Sequence, residues 1–320
     1  MSELHRFIFE GLPVRGQWVR LTDAWQDVLR RRAANTQTGA YPPPVAQLLG
    51  ELTAAAVLLR AGIKFDGALT LQIQGDGPLK LAVAEVQADL RLRATATLQG
   101  AAPAGAGLPE LVNAHGRGRC LVVLDPAHRR HGQPPQQGVA ALTEEGGAPL
   151  PDVAGVIEHY MRQSEQLDTT LVLAADAQAA AGLLIQRLPD NGGQRAADEG
   201  AEDGYRRIAL LAQTAQRAEL LGLDGMALLR RLFWQEKLLL LASPPGTSAP
   251  RFTCPCSRER VAAMLQGLGR QEVEAILREQ GVVEVGCDFC GRQERFDAVD
   301  AAGLLFTPAQ ALMGGTQTLQ

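Results

Sequence analysis

Hydrophobic and polar positions repeat along this chain with two different periods. Arg6–Glu10 alternates, and Val14–Leu21 alternates again after the turn Gly11-Leu12-Pro13, so two strands are expected first. Thr22 and Asp23 supply a helix start, followed by a helix over Ala24–Arg32. Val45, Leu48, Leu49, Leu52, Ala56 and Leu59 recur at helical spacing and predict a second helix over Pro44–Ala61. Leu69, Leu71 and Ile73 then alternate with Thr70, Gln72 and Gln74. The turn Gly75-Asp76-Gly77-Pro78 leads into Leu79, Leu81 and Val83, with alternation running on through Leu90 and Leu92. Glycine and aspartate before an alternating run mark a hairpin, so this region reads as antiparallel strands. Residues 98–113, rich in Gly, Ala and Pro, read as a loop, and 119–125 as a short strand. Val153, Val156, Ile157, Tyr160 and Met161 share one face of a helix over 152–166. Strands are expected again at Leu171–Leu173 and Gly182–Leu188. Strands and helices mix without regular β-α-β alternation, which predicts an α+β core domain over residues 1–189, an antiparallel sheet with packed helices.

The pattern breaks at Asp190–Gly204 and becomes helical again over Tyr205–Leu241. Ile208, Leu211, Ala212 and Ala215 form one apolar stripe, and Met226, Leu229 and Phe233 another. This segment is too short to bury itself, so its stripe must lie on another part of the molecule. An element held by tertiary contact is released when that contact is lost. Residues 190–245 are therefore expected to form a helical linker. A Pro/Gly/Ser connector over Ser243–Pro250 leads into a small C-terminal domain, 246–320.

Five cysteines change the picture. Cys254-Pro-Cys256, then 30 residues, then Cys287-Asp-Phe-Cys290 gives two close pairs joined by a loop. Zinc takes four thiolates in a tetrahedron, and tight turns aim paired sulfurs inward. Gly291 follows the second pair, where positive φ is often needed. No histidine lies in this region, so Cys254, Cys256, Cys287 and Cys290 are the expected ligands of one zinc. A core of about 70 residues supplies roughly 3–5 kcal/mol. A structural zinc supplies roughly 10–16 kcal/mol in small peptides, so the metal decides whether this segment folds. Thiolates are also what oxidants attack, so the ligand set doubles as a sensor. A permanent, redox-inert zinc domain is the blander reading of the same spacing.

Charge and composition restrict the remaining classes. The net charge of −4 opposes long-range attraction to nucleic acid. A zinc-containing nucleic-acid module is the competing reading; it requires Arg258, Arg260, Arg270, Arg278, Arg292 and Arg295 to form a basic face. No run of 18 apolar residues occurs, so no membrane partner is expected, and Met1–Glu10 lacks an apolar signal core, so the protein is expected in the cytoplasm. No catalytic or cofactor-binding constellation is found: Ser164 and Glu165 lack a nearby histidine base, and an enzyme is not expected. Cys120 reads as a buried core thiol, and His115, His128 and His131 as solvated loop. Arg30-Arg31-Arg32 reads as a solvated helix end, and Trp18, Trp25 and Trp234 as packing residues.

The Cys254-x-Cys256-x30-Cys287-x-x-Cys290 pattern with its Cys254-Pro-Cys256-Ser-Arg-Glu-Arg run carries a family resemblance. So do Tyr160-Met-Arg-Gln-Ser-Glu-Gln-Leu167 and Leu71-Gln-Ile-Gln-Gly-Asp-Gly-Pro78. Over nearly its whole length the chain resembles the bacterial redox-regulated holdase chaperones of the heat-shock protein thirty-three family, the 33 kDa chaperonins. The resemblance implies an α+β core, a helical linker wrapped on it and a small zinc domain. It implies an inactive, reduced, zinc-bound monomer. Oxidation would form the disulfides Cys254–Cys256 and Cys287–Cys290, release zinc and unfold the linker. The resulting homodimer would hold unfolding client proteins without ATP during oxidative stress. The Ala/Gly/Pro-rich stretch Gly100–Gly107 departs from the family pattern.

Overall fold

The computed structural model describes residues 1–36, 38–128, 134–188, 199–242 and 249–306. Two compact units divide the chain, Met1–Thr253 and the residues from Cys254 onward.

The first unit begins with β1 (Glu3–Phe9), β2 (Val14–Leu21), α1 (Asp23–Ala34) and α2 (Pro43–Gly62). Next come β3 (Gly67–Gln74), β4 (Leu79–Val86), β5 (Arg91–Leu98), α3 (Leu108–Val112), β6 (Arg119–Pro126) and β7 (Gln136–Ala141). After α4 (Val153–Ser164), β8 (Thr169–Ala175) and β9 (Ala180–Arg187), the chain continues into α5 (Glu199–Gln213), α6 (Arg217–Gly222) and α7 (Gly225–Leu232). The unit closes with β10 (Leu238–Leu241) and β11 (Arg251–Phe252). Five strands make one sheet, in the order β10-β1-β2-β9-β8, and six make a second, β11-β5-β4-β3-β6-β7. Every pairing is antiparallel except β11 on β5.

Helix α2 sits between the two sheets, packed on β2, β8 and β9 on one side and on β3, β4 and β5 on the other. That position explains its composition: a helix apolar all round must be covered all round. By length and hydropathy α2 could cross a membrane, but 78% of its apolar window is buried inside the protein. It is a core helix. Arg60 near its end donates to the carbonyls of Ile63, Phe65 and Gly67, tying the connection to β3 back onto the helix.

The opposite face of the five-stranded sheet carries α5–α7. Phe7, Phe9, Val14, Trp18, Leu183 and Ile185 of the sheet form one buried cluster with Ile208, Ala212, Ala215, Leu229 and Phe233 of the helical segment. The docked stripe is the one expected from spacing, with Met226 outside the cluster and Leu220, Leu228 and Leu232 inside it. Gly225 is required at this seam, because a Cβ there would run into the Trp18 ring.

The second unit holds α8 (Arg258–Leu268), α9 (Arg270–Gln280), the hairpin β12 (Val283–Gly286) and β13 (Gln293–Phe296), and α10 (Ala298–Phe306). Its core is small: Ala262, Leu265, Val273, Val283, Phe296 and Ala301.

The α+β class and the antiparallel sheets are as the sequence predicts; several elements differ. Tyr205–Leu241 is not helical throughout: the helices end at Leu232, and Leu238–Leu241 is a strand on β1. Four consecutive leucines carry no period, so the vacant edge beside β1 decides their conformation. The alternation through Leu90 and Leu92 crosses a turn rather than one strand. Leu90 makes that turn at φ 62°, without a glycine, and Asp89 accepts from the Arg91 amide. The loop read over 98–113 contains α3, and β7 was not foreseen. Trp18 and Trp25 are fully buried, whereas Trp234 is 77% exposed and is not a packing residue. Arg31 stacks over Phe252 and Arg32 over Tyr41, so only Arg30 of that run is simply solvated, beside Asp27. His131, most of the 190–204 break and residues 243–248 of the connector lie outside the described residues.

Candidate metal centre

Two local structures bring the cysteines together. Cys254 and Cys256 precede α8, whose N-cap Ser257 accepts from the Arg260 amide, so the first pair is anchored directly against a helix start. Cys287 and Cys290 occupy the turn between β12 and β13. The Gly291 amide donates to the Cys287 carbonyl at 2.8 Å, and the Cys287 amide to the Arg292 carbonyl at 2.9 Å. Gly291 sits at φ 73°, the positive φ that its place after the pair suggested.

All four sulfurs lie within 4.8 Å of one another, and all four residues are half-buried. A tetrahedral zinc with Zn–S near 2.3 Å has sulfur–sulfur edges of about 3.8 Å. Two sulfur contacts are Cys254–Cys287 at 3.6 Å and Cys256–Cys290 at 3.1 Å. Both run between the two pairs, and the tetrad by itself selects no disulfide pairing. Burial pushes the Cys287 thiol up to about 11, and burial with the Cys290 and Cys254 thiols pushes Cys256 up further. Burial raises Cys254 too, but the Cys256 amide and the other three thiols donate to its sulfur and hold it below the ordinary thiol value. The cage thus stabilises one thiolate and resists a second, which is the repulsion that a dication removes. A soft, all-sulfur donor set at this spacing fits zinc.

The arginines that a nucleic-acid face would need are largely engaged. Arg258 pairs with Asp300 at 2.8 Å and stacks over Phe296, Arg270 pairs with Glu274, Arg292 with Glu294, and Arg295 with Glu284. Cys120 is fully buried in β6, and burial pushes its thiol up to about 12, which removes it from redox chemistry at neutral pH. Ser164 and Glu165 form no catalytic pair: Glu165 accepts from the Tyr160 hydroxyl at 2.8 Å.

Sequence reading missed the polar contacts that hold α5–α7 down. Tyr205 and Thr170 share a hydrogen bond of 3.0 Å, Arg20 donates to the Leu223 carbonyl at 2.8 Å, and Arg217 reaches the Ala175 carbonyl and Glu51. Each joins residues far apart in the chain, so no local pattern announces it.

A family model described as Hsp33 protein matches residues 2–297. The chain belongs to the Hsp33 family. It is similar to the 33 kDa chaperonin of Chromobacterium violaceum, 44% identical over 300 residues covering 94% of this chain and 92% of that one. The 33 kDa chaperonin of Methylobacillus flagellatus is 41% identical over 307 residues, covering 96% and 95%. The crystal structure of the Thermotoga maritima 33 kDa chaperonin superposes with a TM-score of 0.70 over 94% of this chain and 97% of that chain. At 18% identity that likeness speaks for the fold. Hsp33 proteins are chaperones rather than an enzyme class, and the four-cysteine cluster is compatible with zinc and with a redox centre.

Proposed function

We propose that this Hsp33 protein is a redox-regulated, ATP-independent holdase of the cytoplasm. The observation that carries the reading is the cage of Cys254, Cys256, Cys287 and Cys290, built into a unit whose own apolar core is small. In the reduced chain these four residues are the ligands of one zinc, whose charge stabilises four thiolates in one place. Oxidation joins Cys254 to Cys256 and Cys287 to Cys290. Each disulfide takes one peroxide: two thiolates lose two electrons, and the peroxide takes up those electrons with two protons from solvent and becomes two waters. The disulfides have no thiolates left to offer a metal, and the unit loses what folds it.

Three functional parts follow: a core for clients and dimerisation over 1–189, a redox-sensitive helical linker over 190–245 and the switch domain over 246–320. Departure of α5–α7 would uncover Phe7, Phe9, Trp18, Leu183 and Ile185, an apolar sheet face suited to unfolding proteins. The reduced form is a monomer and the oxidised form a homodimer. The ion-paired arginines of the second unit weigh against nucleic acid as the partner.

The test is to treat reduced protein with peroxide at raised temperature, following zinc release, thiol count and aggregation of a heat-denatured client together. Expected are one zinc released per chain, four thiols lost and aggregation suppressed only after oxidation. Peptide mass spectrometry should show the two within-pair disulfides. Zinc retained, or released with no gain of holding activity, would leave a merely structural site.

A further inference from the structure

A cavity of about 410 Å³ lies in the first unit, between the inner face of the five-stranded sheet, the end of α2, strands β3 and β6, and the end of α4. Small-molecule sites occupy roughly 300–1,000 Å³ and combine apolar walls with a few polar groups. Here the wall is Leu58, Leu59, Ile63, Leu69, Leu124 and Met161. Arg15, Gln17 and Gln186 gather beside Gly62 as a polar end, while Gln136, Gln137, Ser164 and Glu165, the last accepting from the Tyr160 hydroxyl, add polar groups elsewhere in the lining.

That polar end is unsatisfied in two ways. Arg15 donates from Nε to Gln186 Oε1 at 2.9 Å, from one terminal nitrogen to the Gly62 carbonyl at 2.8 Å, and from the other to Gln186 again. Two of its five N–H groups remain, and among the described residues no carboxylate pairs with it. The β1–β2 register sets Arg6 opposite Gln17, adding a second guanidinium beside the first. Gln17 is 3% exposed, and its Oε1 has no hydrogen-bond partner. A half-turn of its amide would present N–H groups in place of that oxygen with no change of shape. Half-buried positive charge next to an uncommitted buried amide is costly unless something anionic completes it.

The motif Tyr160-Met-Arg-Gln-Ser-Glu-Gln-Leu167 points to the same place. Tyr160, Met161, Ser164, Glu165 and Leu167 all line this cavity, although a thiol switch in the second unit needs none of them. No lining residue belongs to α5–α7 among the described residues, so the cavity does not depend on the docked helices.

We infer that this cavity is a binding site for a small monocarboxylic acid with a flexible apolar tail, its carboxylate on Arg15 and the Gln17 amide and its tail along α2 and Met161. A tail of roughly six to ten carbons suits the volume. Binding should be the same in reduced and oxidised protein.

Octanoate is the probe, titrated into reduced, zinc-loaded, full-length protein labelled at its methionine methyl groups. Expected is a saturable one-to-one shift of the Met161 signal, with Met226 and Met264 unmoved. Arg15→Gln should weaken binding roughly tenfold or more, as loss of a charge-assisted hydrogen bond does. Octanamide, with the same tail and no charge, should bind correspondingly less tightly. Leu124→Phe adds volume at an apolar wall position that makes no hydrogen bond to Arg15 or Gln17 and should abolish binding, which keeps the test decisive if Arg15→Gln fails to fold. No saturable shift at millimolar octanoate, equal affinity for octanamide, or shifts at Met226 or Met264 instead of Met161 would each overturn the assignment.

Discussion

The two units of this molecule reach a folded state by opposite means. The first buries Trp18, Trp25, Phe7, Leu49, Leu52 and Leu58 completely and wraps two sheets around one apolar helix. The second buries five small or medium side chains and one phenylalanine ring under Arg258, and it concentrates four sulfurs in one cage. Apolar burial is indifferent to oxidant; thiolate ligation is not. A single chain can therefore keep one part standing while another is dismantled, because the two draw on different physics.

Metal removal should break that contrast most visibly. Chelation, or Cys287→Ser, should unfold the second unit, since roughly 10–16 kcal/mol of apparent binding energy is at stake. Hydrogen exchange should show protection lost across α8–α10, β12 and β13 and kept in β2, β3, β6 and β9. Persisting protection in the second unit without metal would mean that its small core suffices. The converse perturbation is Leu52→Ala, at a fully buried position of α2. It should cost about 2–5 kcal/mol of stability in the first unit, read by denaturant unfolding, with zinc content unchanged.

A smaller effect separates the units by pH. Glu51 on α2 is only 9% exposed, and burial raises its carboxyl from 4.5 to about 7, against the Gln47 hydrogen bond and Arg217, which lower it. The folded state thus holds this proton more tightly than the unfolded state. Its contribution is most favourable below pH 4.5 and declines as pH rises through 7. Glu51→Gln should remove that decline and leave the first unit up to about 3 kcal/mol more stable than the parent at pH 8, with little difference near pH 4. A constant difference across pH would show that Glu51 is ionised throughout. The least effect is expected from Ser257→Ala, which removes the α8 cap and should cost the second unit about 1 kcal/mol, measured as a lower midpoint of its unfolding with zinc bound.

Legibility in the sequence followed the range of the interactions. Helix α2 and the hairpin around Asp76 were readable, because periodicity and turn chemistry are local. So was the cysteine set, since the first pair sits directly before a helix start, the second in a hairpin turn, and only the joining segment is long. The turn at Leu90 was not, because it uses a leucine where a glycine would have announced it. Strand β7, Gln136–Ala141, has no alternation and exists because β6 offers an edge. Leu238–Leu241 could have been helix or strand until β1 claimed it. The unusual acidity of Cys254 within its cage arises from donors on Cys256, Cys287 and Cys290, an arrangement that spacing alone does not contain.

The central position of α2 also bears on how the chain is made. The helix is complete at Gly62, yet the strands that cover one side of it, β8 and β9, begin only at Thr169 and Ala180. Synthesis adds about 5–20 residues per second, so a span as apolar as a membrane helix waits several seconds for its cover. During that interval the nascent protein presents the kind of surface that a holdase binds. That side of α2 is thus open to aggregation until β9 has emerged.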